Sequence, residues 1–226
     1  MVSATPAAPL PDRRTQAERT ALSDQRMFES ACALICAHGT AGTTLKAVGE
    51  RAGYSRGLAS HRFGTKAELF AFIIRRLGEQ WIGTLNSAVG KRRGYAALSA
   101  ALSAHGRLLE TGAEPIRAFY ILWFESLGPD SPIHATVQHV HQRRRDDVIA
   151  WLTPALAAGE IRPAVPLEQI ADHFCAAITG IVYAWLIEPS APPSAITAQH
   201  DTLTTTLRTL LNPQARVPAT VTRNAP

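Results

Sequence analysis

The chain has few cysteines, no strand-type alternation and no long apolar run, and each shortage excludes something. Three cysteines in 226 residues, Cys32, Cys36 and Cys175, are too few and too scattered for a disulfide framework, so reduced thiols in apolar helices are expected. Cys32 and Cys36 lie four apart with His38 near, but tetrahedral ligation needs more converging donors. His134, His139 and His141 do not share one helix face at spacing four, so no metal is expected there either. Residues 1–11 lack the apolar run of a signal peptide, and the first arginines follow at Arg13 and Arg14; a cytoplasmic protein is expected. The longest apolar segment, 174–187, reads as too short to cross a bilayer and as a buried helix, so no membrane partner is expected. A nucleophile elbow, a phosphate-cradling Gly loop and an HExxH helix are all missing, which argues against an enzyme and against a cofactor.

What is present is a soluble-type composition, 46% hydrophobic, with a net charge of +5 and a pI near 9.5 that favours a polyanionic partner without proving one. The most informative stretch is Thr43–Lys66. Thr43 and Thr44 can cap a helix whose Leu45, Val48 and Ala52 share one face over about two turns. Gly53 then supplies a left-handed turn, and Ser55 is placed to cap a second helix. In that helix Ala59 and Phe63 face inward with Tyr54, leaving Ser55, Arg56, Gly57, Ser60 and His61 outward, a slim, polar and basic face of the kind that enters a major groove. Gly64, Thr65 and Lys66 read as a break and a cap for the next helix, whose terminal amides and lysine suit a phosphate. By spacing alone, DNA binding and an ordinary solvated helical hairpin both remain open.

The segments Ala52-Gly53-Tyr54-Ser55 and Phe63-Gly64-Thr65-Lys66-Ala67-Glu68-Leu69 resemble the DNA-binding domain of TetR-type transcriptional regulators, over about residues 22–81. Three positions depart from that family's pattern: Gly49 where Ala is usual, Ala59 where Leu is usual, and Ser60 where a Tyr usually touches the DNA backbone. The last change shifts the expected phosphate contact toward His61 and Arg62. The DNA-binding set is therefore Thr43, Thr44, Ser55, Arg56, Gly57, Ser60, His61, Arg62 and Lys66.

The rest of the chain carries helical periodicity throughout, which makes the fold all-α. Residues 1–19 read as a disordered basic arm, 20–80 as a three-helix helix-turn-helix head, 81–212 as a ligand-binding and dimerisation bundle, and 213–226 as a disordered tail. In the head, Leu22 and Met27 form a hydrophobic staple around Ser23 as N-cap, and the first helix ends at Gly39. A long helix carrying Leu69, Phe70, Ile73, Leu77, Trp81 and Leu85 joins head to bundle. Breaks are expected at Gly112, Gly128-Pro129-Asp130, Gly159 and Pro189.

Two late stripes, Phe174 to Trp185 with Ala177, Gly180 and Ala184, and Ile196 to Leu210, suit either core or self-association. The TetR resemblance implies the second: a homodimer through the last two long helices, matched to a palindromic double-stranded DNA operator. The resemblance also implies a small, apolar or aromatic inducer. Candidate pocket residues are Trp81, Phe119, Tyr120, Trp123, Phe124 and Trp151, with His105, His134 and Arg117 as polar groups to orient it. Arg143-Arg144-Arg145-Asp146-Asp147 reads as an exposed face with Arg143 paired to Asp147. The expected function is a ligand-released repressor, the long helix transmitting occupancy to the head; the alternative is a helical ligand-binding or adaptor protein without specific DNA binding.

Overall fold

The structure, a computed structural model, describes residues 15–214 except Arg56, Gly112 and Pro189, with Thr111 and Pro193 described in backbone alone. Among the described residues there are nine helices and no strand, as the periodicity requires. They are α1 (Gln16–Gly42), α2 (Leu45–Arg51), α3 (Leu58–Phe63), α4 (Lys66–Val89), α5 (Gly94–Thr111), α6 (Ala113–Glu125), α7 (His134–Ala157), α8 (Leu167–Ile187) and α9 (Pro193–Leu211).

The expected start of α1 is corrected. Thr15, not Ser23, is the N-cap: its hydroxyl accepts from the Glu18 amide while the Glu18 carboxylate accepts from the Thr15 amide. This capping box extends the helix over residues assigned to the mobile arm, and Ser23 instead donates to the Thr20 carbonyl inside it. The expected break at Gly39 is found as a kink, φ 65°, that only glycine adopts without strain. Thr65 and Glu68 build a second capping box that opens α4 after the left-handed Gly64, φ 69°. At the other end, the expected tail from 213 does not begin freely: Pro213 bridges Ile161, and the Gln214 amide donates to the Glu160 carbonyl.

α4 packs against α5 and α7, α5 also meets α9, and α7, α8 and α9 follow in sequence around the bundle. α6 lies across α1 and also touches α4 and α5. Two links fasten α6 to the head: Thr40 donates to Glu125 at 2.6 Å, and Cys36 Sγ donates to the Glu114 carbonyl at 3.3 Å. α8 is longer than the apolar run predicts, 21 residues with a mean hydropathy of 1.6, so by length and composition it could span a bilayer. In the fold it is a bundle helix against α7 and α9, its Phe174, Ile178 and Val182 buried.

α4 approaches α7 closely at Gly78, where a Cβ would stand 2.8 Å from Val140 Cγ1 and 3.0 Å from Cγ2. Both neighbours are held in helices and Val140 is β-branched, so neither side yields easily. Gly78→Ala is expected to lower unfolding stability by about 1–2 kcal/mol, because the overpacking cost exceeds the helix-propensity gain of up to about 1 kcal/mol. Urea denaturation checks this; a variant as stable as the parent would show that α4 and α7 can separate at no cost.

Candidate functional site

The head is built as the turn chemistry predicts, with exceptions at three residues. Thr44 caps α2, accepting from the Ala47 amide at 3.1 Å, and Gly53 takes φ 79°. Gly49 is buried, and a Cβ there would lie 3.2 Å from the Ser55 carbonyl oxygen and 3.6 Å from the Ala59 Cβ, so the small residues at 49 and 59 let α2 and α3 approach closely. Ser55 does not cap α3: Gly57 holds that position, no side chain accepts from the first turn, and Ser55 contributes its carbonyl to the Leu58 amide instead.

Of the expected DNA-facing residues, Thr44, Ser55, Gly57, Ser60 and His61 are exposed, and Lys66 is half-buried with its ammonium 5.5 Å from the Phe70 ring centre. Arg56 lies outside the described residues. Thr43 is a correction: it is fully buried, and its hydroxyl donates to the Gly39 carbonyl at 2.8 Å, so it braces the kink and is withdrawn from solvent. Arg62 is held by a forked pair to Asp24 of α1, both bonds at 2.7 Å, and this hydrogen-bonded carboxylate raises the guanidinium pKa. Arg62 thus pins α3 to α1. Lys46 and Arg51 of α2 are exposed basic groups that the sequence reading passed over.

A second site lies in the bundle. Leu77, Gln80 and Trp81 of α4, His105, Leu108 and Leu109 of α5, Pro115, Ile116, Phe119 and Tyr120 of α6, Arg144 of α7 and Val182 of α8 enclose a cavity of about 160 Å³. Four of the nine expected pocket residues line it: Trp81, His105, Phe119 and Tyr120. The other five do not. Trp123 is buried beside it against Arg144, Phe124 is 42% exposed, and Trp151 donates to Asn86 at 2.9 Å and stands edge-on to Phe174. His134 is exposed with Nδ1 3.1 Å from the Ser126 carbonyl oxygen, and exposed Arg117 lines a separate surface groove between α1 and α6. A larger, open depression around Lys91–Ala96 and Ala158–Arg162 is solvent-facing and lies at the far turn of the bundle.

Arg144 overturns the reading of 143–147 as a uniformly exposed face. Arg143 is exposed and pairs with Asp147 at 3.4 Å as expected, but Arg144 is only 4% exposed. Its guanidinium stands 4.1 Å from the Trp81 ring centre, 5.0 Å from Trp123 and 5.1 Å from Phe119. None of the ion pairs formed among the described residues includes it. His105, 1% exposed, has Nδ1 2.9 Å from His200 Nε2, and His200 Nδ1 lies 2.9 Å from the Ile196 carbonyl oxygen. A carbonyl only accepts, so His200 Nδ1 carries a proton; in the neutral pair His105 Nδ1 then donates to His200, leaving His105 Nε2 as an acceptor. Burial first, then the charges of His200 and Arg144, push the His105 pKa down to about 3. The thiols are inert by the same physics, since burial pushes Cys32 up to about 12 and Cys175 up to about 11.

Residues 28–73 match the family described as bacterial regulatory proteins, tetR family. The HTH-type transcriptional regulator BetI of Burkholderia lata is 30% identical over 151 residues, 66% of this chain and 72% of that protein. BetI of Paraburkholderia phymatum is 29% identical over 121 residues, and the match spans 61% of its length. The structure of SmeT, the repressor of the Stenotrophomonas maltophilia multidrug efflux pump SmeDEF, in complex with triclosan superposes with a TM-score of 0.69 at 23% identity, over 90% of this chain and 99% of that one. The head is a helix-turn-helix set on a helical bundle. The chain belongs to the TetR family of bacterial regulatory proteins.

The His105 pKa has a consequence for stability. Above the unfolded value of 6.5 the imidazole is neutral in both states and contributes nothing to pH dependence. Below it the unfolded chain takes up a proton that the folded site refuses, so stability falls as pH drops from 6.5 toward about 3, by at most about 1.4 kcal/mol per pH unit from this group. Denaturation at about pH 7.5 and about pH 5 should show a larger loss for the parent than for His105→Gln. Equal losses would mean that His105 protonates freely in the folded state.

Proposed function

We propose that the chain is a cytoplasmic, non-enzymatic repressor that binds a palindromic operator as a homodimer and is released when a small molecule fills the cavity. The observation that carries this reading is that the two helices holding the head, α4 and α6, also wall the cavity. α4 begins at Lys66 in the head and presents Trp81 four turns on; α6 grips α1 through Glu114 and Glu125 and presents Phe119 and Tyr120 between them. A ligand that favours one packing of these helices shifts the head by the same free energy with which DNA opposes that ligand. SmeT, with its triclosan, supports a small-molecule effector by analogy of fold.

Dimerisation is supported by α8 and α9. Gly180 and Tyr183 are exposed, a Cβ at Gly180 would meet nothing within 4 Å, and Ile187 is 65% exposed, so an apolar helix with small residues faces outward and admits close approach by a second copy. Two heads related by twofold symmetry read two half-sites, which a single short α3 cannot.

On the DNA side, Ser55, Arg56, Gly57, Ser60 and His61 are assigned to the groove and Thr44 and Lys66 to the backbone. Selection of bound duplexes from a random pool should return a symmetric consensus. On that sequence, alanine at Arg56 or His61 should cost about 1–3 kcal/mol and relax specificity, whereas Lys66→Ala should weaken all duplexes alike and lower the salt slope by about 1. An asymmetric consensus, or equal loss for all three variants on every sequence, would contradict the assignment.

A further inference from the structure

Three buried polar atoms of the described residues have no hydrogen-bond partner: Arg144 Nε, Trp81 Nε1 and Tyr120 Oη. All three side chains line the same cavity. A guanidinium and an indole N–H can only donate, and a phenol O–H donates as readily as it accepts. Three unpartnered donors therefore line the cavity, against His105 Nε2 and the Gln80 carboxamide oxygen as acceptors on its wall. The cavity also holds a positive charge that no ion pair among the described residues compensates, because Arg144 has aromatic faces around it. Rings attract a cation but accept no strong hydrogen bond, so the desolvation of the guanidinium is only partly offset. His105 does not change the charge balance, since it is neutral, with Nδ1 turned to His200.

What completes such a site is an occupant that brings a negative charge and several acceptor lone pairs. We propose that the cavity binds a compact monocarboxylate with an apolar body, its carboxylate paired side-on with the Arg144 guanidinium and its body against Leu77, Leu109, Ile116 and Val182. The inference rests on reading this cavity as the effector site. One guanidinium neutralises one negative charge, which disfavours a phosphate dianion, and a carboxylate matches the guanidinium fork with two parallel bonds. A quaternary or primary ammonium would meet Arg144 in a poorly screened interior and is excluded by repulsion. Size is bounded too: a cavity of about 160 Å³ is of the order that holds a single aromatic ring.

The test titrates the full-length protein with benzoate, phenylacetate, benzamide, phenyl phosphate and benzylamine, by calorimetry and by the shift in melting temperature. A carboxylate probe is expected to bind and to raise the melting temperature, with benzamide and benzylamine weaker by at least about ten-fold. Arg144→Gln should erase the preference of carboxylate over amide, Arg144→Lys should keep part of it, and Tyr120→Phe should weaken the carboxylate while leaving the preference in place. Circular dichroism confirms the fold of each variant; if Arg144→Gln does not fold, the benzoate-to-benzamide ratio in the parent and the Tyr120→Phe titration still decide. Equal binding of benzoate and benzamide, unchanged benzoate affinity in Arg144→Gln, or failure of both carboxylates to bind overturns the proposal. Operator binding read in the same titrations separates the two claims. A carboxylate that binds with the expected selectivity yet leaves the operator complex intact refutes the coupling and keeps the site; a neutral probe that fills the cavity and releases the operator, with carboxylates excluded, does the reverse.

Discussion

One apolar core runs without interruption from Met27 in α1 to Leu211 in α9, and α4 is built into both ends of it. Leu69, Phe70 and Ile73 belong to the head, whereas Trp81, Leu85 and Val89 belong to the bundle, all on one continuous helix of 24 residues. Close-packed interiors transmit displacement instead of absorbing it, so the head cannot tilt without the bundle repacking. The Gly78–Val140 contact sharpens this constraint. It leaves α4 no slack against α7 in the same turn from which Leu77, Gln80 and Trp81 wall the cavity.

The polar groups are arranged to keep this unit specific. On the head, Arg62 with Asp24 and Thr40 with Glu125 tie elements far apart in sequence, and each tie is satisfied on both sides. In the bundle, His105 and His200 form a chain that ends on a backbone carbonyl. Against that background the open donors around the cavity stand apart. A coupling of about 1–3 kcal/mol between two sites is enough to change occupancy at either one several-fold, and a single charge-assisted bond is of that size. The fold therefore needs no large rearrangement to act as a switch.

What the sequence revealed and what it hid follow from the range of the interactions concerned. The turn at Gly53, the break at Gly64, the Thr65 cap and the breaks at Gly128-Pro129-Asp130 and Gly159 depend on neighbours within a few residues, and they were legible, whereas the expected breaks at Gly112 and Pro189 lie outside the described residues. Ser55 misled because its competitor, Gly57, caps by backbone geometry and leaves no side-chain signature. Thr15 was passed over because the Ala- and Pro-rich stretch before it hid a local Thr-x-x-Glu pattern that was there to be read. Arg144 is the instructive miss. The buried stripe of α7 runs Val137, Val140, Val148, Trp151 and Leu152, and the unfilled place between Val140 and Val148, four residues from each, is position 144. Periodicity alone points inward; the two arginines beside it point outward, and the run of charge masks the stripe. The aromatic cage that makes the inward position tolerable comes from α4 and α6, and no local reading assembles it.

The account stands on head and cavity forming one mechanical unit, and coupling between sites is reciprocal, so DNA must be felt at the cavity. Hydrogen exchange of the free protein and of its complex with the selected duplex measures this directly. Protection should change in α2 and α3 and also along Leu77–Trp81 and Ile116–Trp123, at the cavity. A change confined to α2, α3 and the first turn of α4 would contradict the account.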